Sequence, residues 1–209
     1  YNNRGKAIIL AVIGTEPLEN GVKIAAAHID SPRLDMKQCP IYEDTELALF
    51  KTHYYGGIKK YQWTAIPLSL HGVIVKADGN KVEVCIGEDE KDPVFCVTDL
   101  LPHLATDQMK RNLAQGIKGE ELNILVGSRP FKDNEESEAV KLNILSILNE
   151  KYGIIEDDFI SAELEVVPAF KAKDVGLDRG LVGAYGQDDR VCAYTALEAI
   201  LDVDSPKTT

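Results

Sequence analysis

Two short, unbroken apolar runs constrain the fold of this 209-residue chain more than any other feature. They cover residues 7–13 and 22–27. Strands that are apolar at every position belong to sheets that are buried on both faces, as in α/β domains. The second run leads directly into His28 and Asp30, and open α/β sheets bind their ligands where such strands end. The runs therefore predict an α/β domain with a ligand site beginning at residue 28.

The middle of the chain has a pattern that is typical of an antiparallel sheet. Val82, Val84 and Ile86 alternate with polar residues, and residues 70–75 form another apolar run. The turn-forming residues 78–80 separate the two segments, so we predict a β-hairpin.

Helical and buried-strand patterns return in the second half of the chain. Amphipathic helices are predicted over residues 135–152, where Gly153 ends the pattern, and over residues 191–201. A further apolar strand is predicted at residues 164–168. The whole sequence thus predicts an α/β domain that is interrupted by a mostly β insert.

Net charge, apolar run length and cysteine spacing limit the binding partners and the cellular location that are expected. The net charge is −11 and the isoelectric point is about 4.8, so nucleic acid and anionic membrane surfaces, which are polyanions, are not expected partners. No apolar run approaches the roughly 18 residues that a membrane span requires. The four cysteines are far apart in sequence and are expected to be reduced, which predicts a cytoplasmic protein. They are Cys39, Cys85, Cys96 and Cys192.

Two acidic segments and a few histidines could carry chemistry. His28 with Asp30 suits a metal ligand and the carboxylate that orients it, but also a buried histidine beside a turn-capping aspartate. Asp188 and Asp189 open a helix, where a carboxylate could bridge two cations or simply cap the helix. His103 suits either a site or a turn. Since no serine- or cysteine-hydrolase motif occurs, those classes are poorly supported.

Longer motifs resemble one family. Residues 27–34, Ala27-His28-Ile29-Asp30-Ser31-Pro32-Arg33-Leu34, are similar to the first metal motif of the aspartyl aminopeptidases, which are dinuclear zinc exopeptidases. Three further stretches agree in the family's order. They are Tyr55-Gly56-Gly57 with Leu70-His71-Gly72, Leu101-Pro102-His103-Leu104-Ala105, and residues 177–190, which end in Gly186-Gln187-Asp188-Asp189-Arg190. The resemblance extends over nearly the whole chain.

The resemblance implies a fold and an assembly. Residues 1–37 and 166–209 would belong to a zinc-exopeptidase-like α/β catalytic domain. Residues 38–165 would form a barrel-like insert used in dimerisation, and dimers would assemble into a higher homo-oligomer. Peptides would be the substrates, and two Zn²⁺ ions the cofactors, with Co²⁺ or Mn²⁺ as alternatives that suit the same ligands.

The resemblance also implies roles for individual residues. His28 would bind one zinc ion with Asp30 behind it, and Asp188, rather than Asp189, would bridge both ions. His103 would reach into a neighbouring subunit's active site and help to hold the substrate.

The family's remaining metal ligands and its general-base glutamate follow the bridging aspartate, and no Glu-Glu pair follows Asp189 here. We therefore expect the chain to be part of a longer protein, to bind zinc weakly and to be inactive by itself. The alternatives are a non-catalytic oligomerisation module and a dinuclear aminopeptidase that prefers neutral residues.

Overall fold

The computed structural model describes residues 1–132 and 137–209. Four α-helices occur among them: α1 (Thr106–Met109), α2 (Leu113–Gly116), α3 (Ala139–Tyr152) and α4 (Gln187–Leu201). The strands of the described residues are β1 (Asn2–Asn3), β2 (Ala7–Ile8), β3 (Arg33–Asp44), β4 (Leu47–Tyr55), β5 (Leu68–Val75), β6 (Lys81–Ile86), β7 (Cys96–Val97), β8 (Ile124–Gly127), β9 (Glu163–Pro168), β10 (Lys173–Val175) and β11 (Leu181–Gly183).

The chain divides into two compact units. Unit 1 consists of residues 1–31 and 186–209, and unit 2 consists of residues 32–185. These boundaries lie at other residues than the predicted domain limits at 37/38 and 165/166, which stay a prediction.

Unit 2 is built on one seven-stranded antiparallel sheet in the order β6-β5-β9-β3-β4-β8-β7. The long strands β3 and β4 form its centre, and β9 lies between β3 and β5, although it follows them by about 90 residues or more. The predicted strand at residues 164–168 is therefore confirmed, as a central strand of this sheet.

One face of the sheet carries the hydrophobic core. Leu34, Leu70 and Val166 lie side by side on neighbouring strands and are all buried. Phe50 meets Phe159 edge to face, with ring centroids 5.7 Å apart. Side chains of α3 cover the same core, because its apolar stripe faces the sheet.

The sheet also has a contact between its two ends. Leu68 of β5 and Phe95, just before β7, exchange both backbone hydrogen bonds, at 2.8 and 2.9 Å. Since β7 is an edge strand of the sheet and β5 lies near the other edge, this pair links the two sides of unit 2.

The predicted hairpin and helices are present. β5 pairs with β6 from Leu70 opposite Ile86 to Val75 opposite Lys81, and the backbone amide of Asn80 donates to the Asp78 carboxylate in the turn. The first predicted helix begins at Ala139 rather than at residue 135; residues 133–136 lie outside the described part of the chain. The second helix is α4.

Unit 1 contradicts the prediction of two buried strands. Residues 7–13 contribute only the two-residue strand β2, residues 22–27 form no strand, and both runs are exposed except for the half-buried Val12. The backbone amides of residues 15, 16 and 23 instead donate to backbone carbonyl oxygens of residues 206–209, and the amide of Gly14 donates to the Thr209 hydroxyl. The other regular elements of unit 1, all of whose residues are described, are β1, a 3-10 turn at Leu18–Asn20 and α4. The runs therefore lack the neighbouring strands that a buried sheet requires. No helix among the described residues is both long and apolar enough to cross a membrane.

Candidate metal centre

His28 is held in one tautomer by its own chain segment. Its Nδ1 lies 3.0 Å from the backbone carbonyl oxygen of Asp30, and a carbonyl oxygen can only accept a hydrogen bond. Nδ1 therefore carries the proton in the neutral ring, and the lone pair is on Nε2. This is the arrangement in which a metal-binding imidazole is commonly fixed by a neighbouring carbonyl or carboxylate.

The electrostatic surroundings of His28 favour its charged form. The hydrogen bond to the Asp30 backbone raises the pKa of His28 above its ordinary value, and the carboxylates of Asp189, Asp30 and Asp188 act in the same direction. A protonated imidazole has no lone pair to donate, so protons compete with a metal ion for Nε2 up to a higher pH than at an isolated histidine. The negative charge that binds the proton would equally attract a cation.

Asp188 lies opposite the second ring nitrogen of His28, Nε2. Its Oδ1 is 3.1 Å from His28 Nε2, although the two residues are 160 positions apart in sequence. The Asp188 side chain is 93% exposed, so the carboxylate is accessible to an incoming ligand. It stands at the start of α4, where its φ of −92° and ψ of 107° depart from helical values.

Asp189 performs a different task from Asp188. Its Oδ1 accepts a hydrogen bond of 3.4 Å from the backbone amide of Cys192, three residues along. That is the contact by which an aspartate caps the first turn of a helix. The Asp188 carboxylate thus faces His28, as a metal ligand would, whereas the Asp189 carboxylate caps the helix.

Ser31 ties the two chain segments together. Its hydroxyl donates to the backbone carbonyl oxygen of Asp188 at 3.2 Å. No sequence pattern predicts a role for Ser31. Its position directly after Asp30 was the available signal, but a serine before a proline is too common to be interpreted alone.

The donor set fits zinc in kind but not in number. Zinc binds histidine nitrogen and carboxylate oxygen at about 2.0–2.2 Å, so two donors that share a tetrahedral ion lie about 3.3 Å apart, close to the 3.1 Å between His28 Nε2 and Asp188 Oδ1. A catalytic zinc ion, however, takes about three protein ligands. Across residues 1–132 and 137–209, no cluster of three or more His, Cys, Asp or Glu side chains is arranged to hold a metal ion.

The other candidate residues lie in unit 2. His103 is exposed in a turn just before α1, between the exposed Leu101 and Leu104. His71 lies within β5, as predicted, and its Nε2 is 2.8 Å from the carboxylate of Glu88. All four cysteines, each of which lies in a described segment, are free thiols.

Histidine nitrogen and aspartate oxygen are donor types that zinc binds, and comparisons with known proteins specify the family. The chain matches the model of the Peptidase M18 family, described as aminopeptidase I zinc metalloprotease, over residues 1–209. The chain therefore belongs to this family of zinc metallopeptidases, and the resemblance found in its motifs is confirmed.

Several bacterial relatives are similar along the whole chain. A probable M18 family aminopeptidase 1 from Clostridium acetobutylicum is 62% identical over 208 residues, which is 100% of this chain and 45% of the relative. The crystal structure of aminopeptidase I from the same organism is 59% identical, with a TM-score of 0.91 over 99% of this chain and 45% of that one. The Thermotoga maritima M18 aminopeptidase is 56% identical, with a TM-score of 0.85 over 90% and 41%.

The chain thus spans less than half the length of the relatives that it matches. A more distant structure, that of the mApe1 dodecamer from Saccharomyces cerevisiae, is 19% identical with a TM-score of 0.61 and shares the fold alone.

Proposed function

We propose that the protein is a metal-dependent aminopeptidase, which removes N-terminal residues from peptides with a water molecule activated by two zinc ions. The observation that carries this proposal is the 3.1 Å approach of Asp188 Oδ1 to His28 Nε2, while His28 Nδ1 is held by the Asp30 backbone carbonyl. His28 would hold one zinc ion and Asp188 would bridge both. The ions would polarise the scissile carbonyl and lower the pKa of the attacking water.

The chain's own residues prepare this site before any ion is bound. The Asp30 carbonyl keeps His28 Nε2 directed at the Asp188 carboxylate, so a metal ion would take the place of the proton between them and neither ligand needs to reorient. Asp30 also places its carboxylate 3.5 Å from His28 Nδ1, where it stabilises positive charge on the ring. Asp30 is therefore proposed as the residue that orients the histidine.

We propose further that this chain alone is inactive. Two ligands are fewer than a catalytic zinc ion requires, and a general base to take the proton of the water is also needed. These groups would come from the part of the longer enzymes that this chain does not match. The exposed apolar side chains of unit 1, such as Ile24 and Val191, support this proposal because they would be buried in a completed domain.

The assembly is proposed from the insert. Residues 38–165 would form the barrel-like dimerisation insert between the two catalytic segments, 1–37 and 166–209. The Leu68–Phe95 pair supports a barrel-like closure, because it joins strands from opposite sides of the sheet. His103 would act in the neighbouring subunit's site, and its exposed turn supports that role. The mApe1 structure described as a dodecamer supports assembly beyond the dimer.

Substrate preference and location rest on less. We propose N-terminal acidic residues as the preferred substrates, on the resemblance of the motifs alone, with neutral residues as the alternative. Aspartyl and leucyl amides compared on the full-length enzyme would separate the two. A cytoplasmic location is proposed from the four free thiols.

Calorimetric titration of Zn²⁺ into this chain tests the proposed metal centre. We expect weak binding of one ion, which His28→Ala and Asp188→Ala each abolish, since losing a direct ligand costs more than the roughly 10–100-fold that losing an outer-shell partner costs. His53→Ala and Asp204→Ala are matched controls, because both side chains are exposed and lie outside the candidate centre.

Each result of this titration has a definite meaning. If neither His28→Ala nor Asp188→Ala changes the Zn²⁺ affinity, the proposed metal centre is contradicted. The two residues would then be only a histidine beside a helix terminus. Tight binding of two ions would contradict the proposed inactivity of the chain alone. A tight dimer without any metal binding would favour the non-catalytic oligomerisation module.

A further inference from the structure

Ser31 is buried, whereas the other residues of unit 1 are exposed or half-buried. It is 7% exposed, and it is the one buried residue among residues 1–31 and 186–209, all of which the structure describes. A buried hydroxyl must find a hydrogen-bond partner or lose stability. The partner of Ser31 Oγ is the backbone carbonyl oxygen of Asp188, at 3.2 Å.

The carbonyl that Ser31 binds has left the helical pattern. Asp188 and Asp189 have non-helical backbone angles inside the span of α4. The backbone amide of Cys192, four residues after Asp188, donates a hydrogen bond of 3.4 Å to the side chain of Asp189. The Ser31 hydroxyl therefore donates to the carbonyl oxygen of a residue whose backbone departs from helical geometry.

Gly186 leaves the space in which this contact forms. Its φ is +78°, which favours glycine, and a Cβ atom added there would lie 3.1 Å from Ser31 Oγ. The same Cβ would lie 1.9 Å from the Arg190 guanidinium, which folds back over the glycine. A side chain at position 186 would therefore crowd Ser31 Oγ and displace the Arg190 guanidinium.

The tether has a consequence for the ligands. Ser31 is three residues from His28, and the carbonyl that it binds belongs to the residue whose carboxylate faces His28. Fixing that carbonyl restricts where the Asp188 carboxylate can lie relative to the imidazole. Apart from the ligand pair itself, this is a direct link between the two segments at the candidate centre.

We propose that Ser31 is a positioning residue, which holds the Asp188 backbone so that the Asp188 carboxylate and His28 Nε2 stay at the separation that one metal ion requires. This inference rests on the proposed function. It assigns to Ser31 no contact with metal or substrate, and it makes the hydroxyl, rather than the size of the side chain, the essential feature.

Zinc titration of the chain with three serine variants tests this role. Ser31→Ala should lower the Zn²⁺ affinity about tenfold, at the low end of the cost of losing an outer-shell partner. Ser31→Thr retains the hydroxyl and should restore most of the affinity. Ser205→Ala, a change at an exposed serine of the same unit, should have no effect.

The outcomes separate the positioning role from the metal centre itself. Wild-type affinity in Ser31→Ala, or an equal loss in Ser31→Thr and Ser31→Ala, would overturn the positioning role while His28→Ala still abolishes binding. Binding that is indifferent to His28→Ala would instead overturn the metal centre. Circular dichroism reports whether each variant is folded. If Ser31→Ala is unfolded, the Zn²⁺ affinity of Ser31→Thr decides: retained affinity supports the proposal, and lost affinity overturns it.

Discussion

The helix that covers the sheet of unit 2 is capped by a carboxylate from a strand, and removing that carboxylate gives a quantitative test of the fold. The residue that precedes α3, Glu138, makes no side-chain cap. Glu43, at the end of β3, instead accepts hydrogen bonds from the backbone amides of Val140 and Lys141, both at 2.9 Å. The first amides of a helix have no partner within the helix, so this contact satisfies two of them and places negative charge at the positive end of the helix dipole.

The cost of losing this cap follows from these two bonds. Replacing an N-capping side chain by alanine costs about 0.5–2 kcal/mol, and hydrogen bonds to a charged group are worth about 1.5–3 kcal/mol each when buried. Glu43 is only partly buried, so water replaces some of the loss. We expect Glu43→Ala to lower the free energy of unfolding by about 2 kcal/mol, or 4–8 °C in melting temperature for a domain of this size.

Two further variants make the test specific. Glu43→Gln keeps an acceptor oxygen and loses only the charge, so about 0.3–1 kcal/mol should be lost, as for other charges near a helix end. Glu83→Ala removes an exposed carboxylate of β6 and should change stability by less than about 0.5 kcal/mol. Thermal unfolding followed by circular dichroism measures all three. A loss in Glu43→Ala no larger than that in Glu83→Ala would refute the capping argument.

Two more predictions concern close packing and assembly. Gly72→Ala would place a Cβ atom 2.0 Å from the backbone carbonyl oxygen of Glu163, at a φ of +141°, so this variant should lose its cooperative melting transition. A Cβ atom at Gly57 meets no atom within 4 Å, so Gly57→Ala should melt near the wild-type temperature. Equal melting temperatures of the two variants would contradict the packing at Gly72. His103→Ala in the full-length protein should leave the mass measured by light scattering unchanged and lower kcat by about 100-fold, while an unaltered kcat would remove His103 from the active site.

Short-range features of unit 2 could be predicted from the sequence because their causes are local. The alternation in residues 81–86 and the turn at residues 78–80 specify the β5–β6 hairpin. The contact of His28 with Asp30 is equally local, since the two are separated by one residue. The helical periodicity of residues 191–201 likewise appears as α4.

The apolar runs of unit 1 do not form the buried strands that their composition predicts. An apolar run predicts that a strand will be buried, but burial requires another segment to cover it. Residues 7–13 and 22–27 have the composition of buried strands and are exposed in this chain. The apolar pattern of a segment does not identify the other segment that would have to cover it.

The sequence by itself determined the family, the β5–β6 hairpin, the two long helices α3 and α4 and the residue types of the candidate centre, because each follows from residues that are close together in sequence. Only the tertiary structure decided that β9 lies between β3 and β5, that Asp188 rather than Asp189 faces His28, and that Ser31 holds the Asp188 backbone. The physical reason is sequence separation: a contact across 160 residues depends on how the whole chain closes on itself, which no local pattern records.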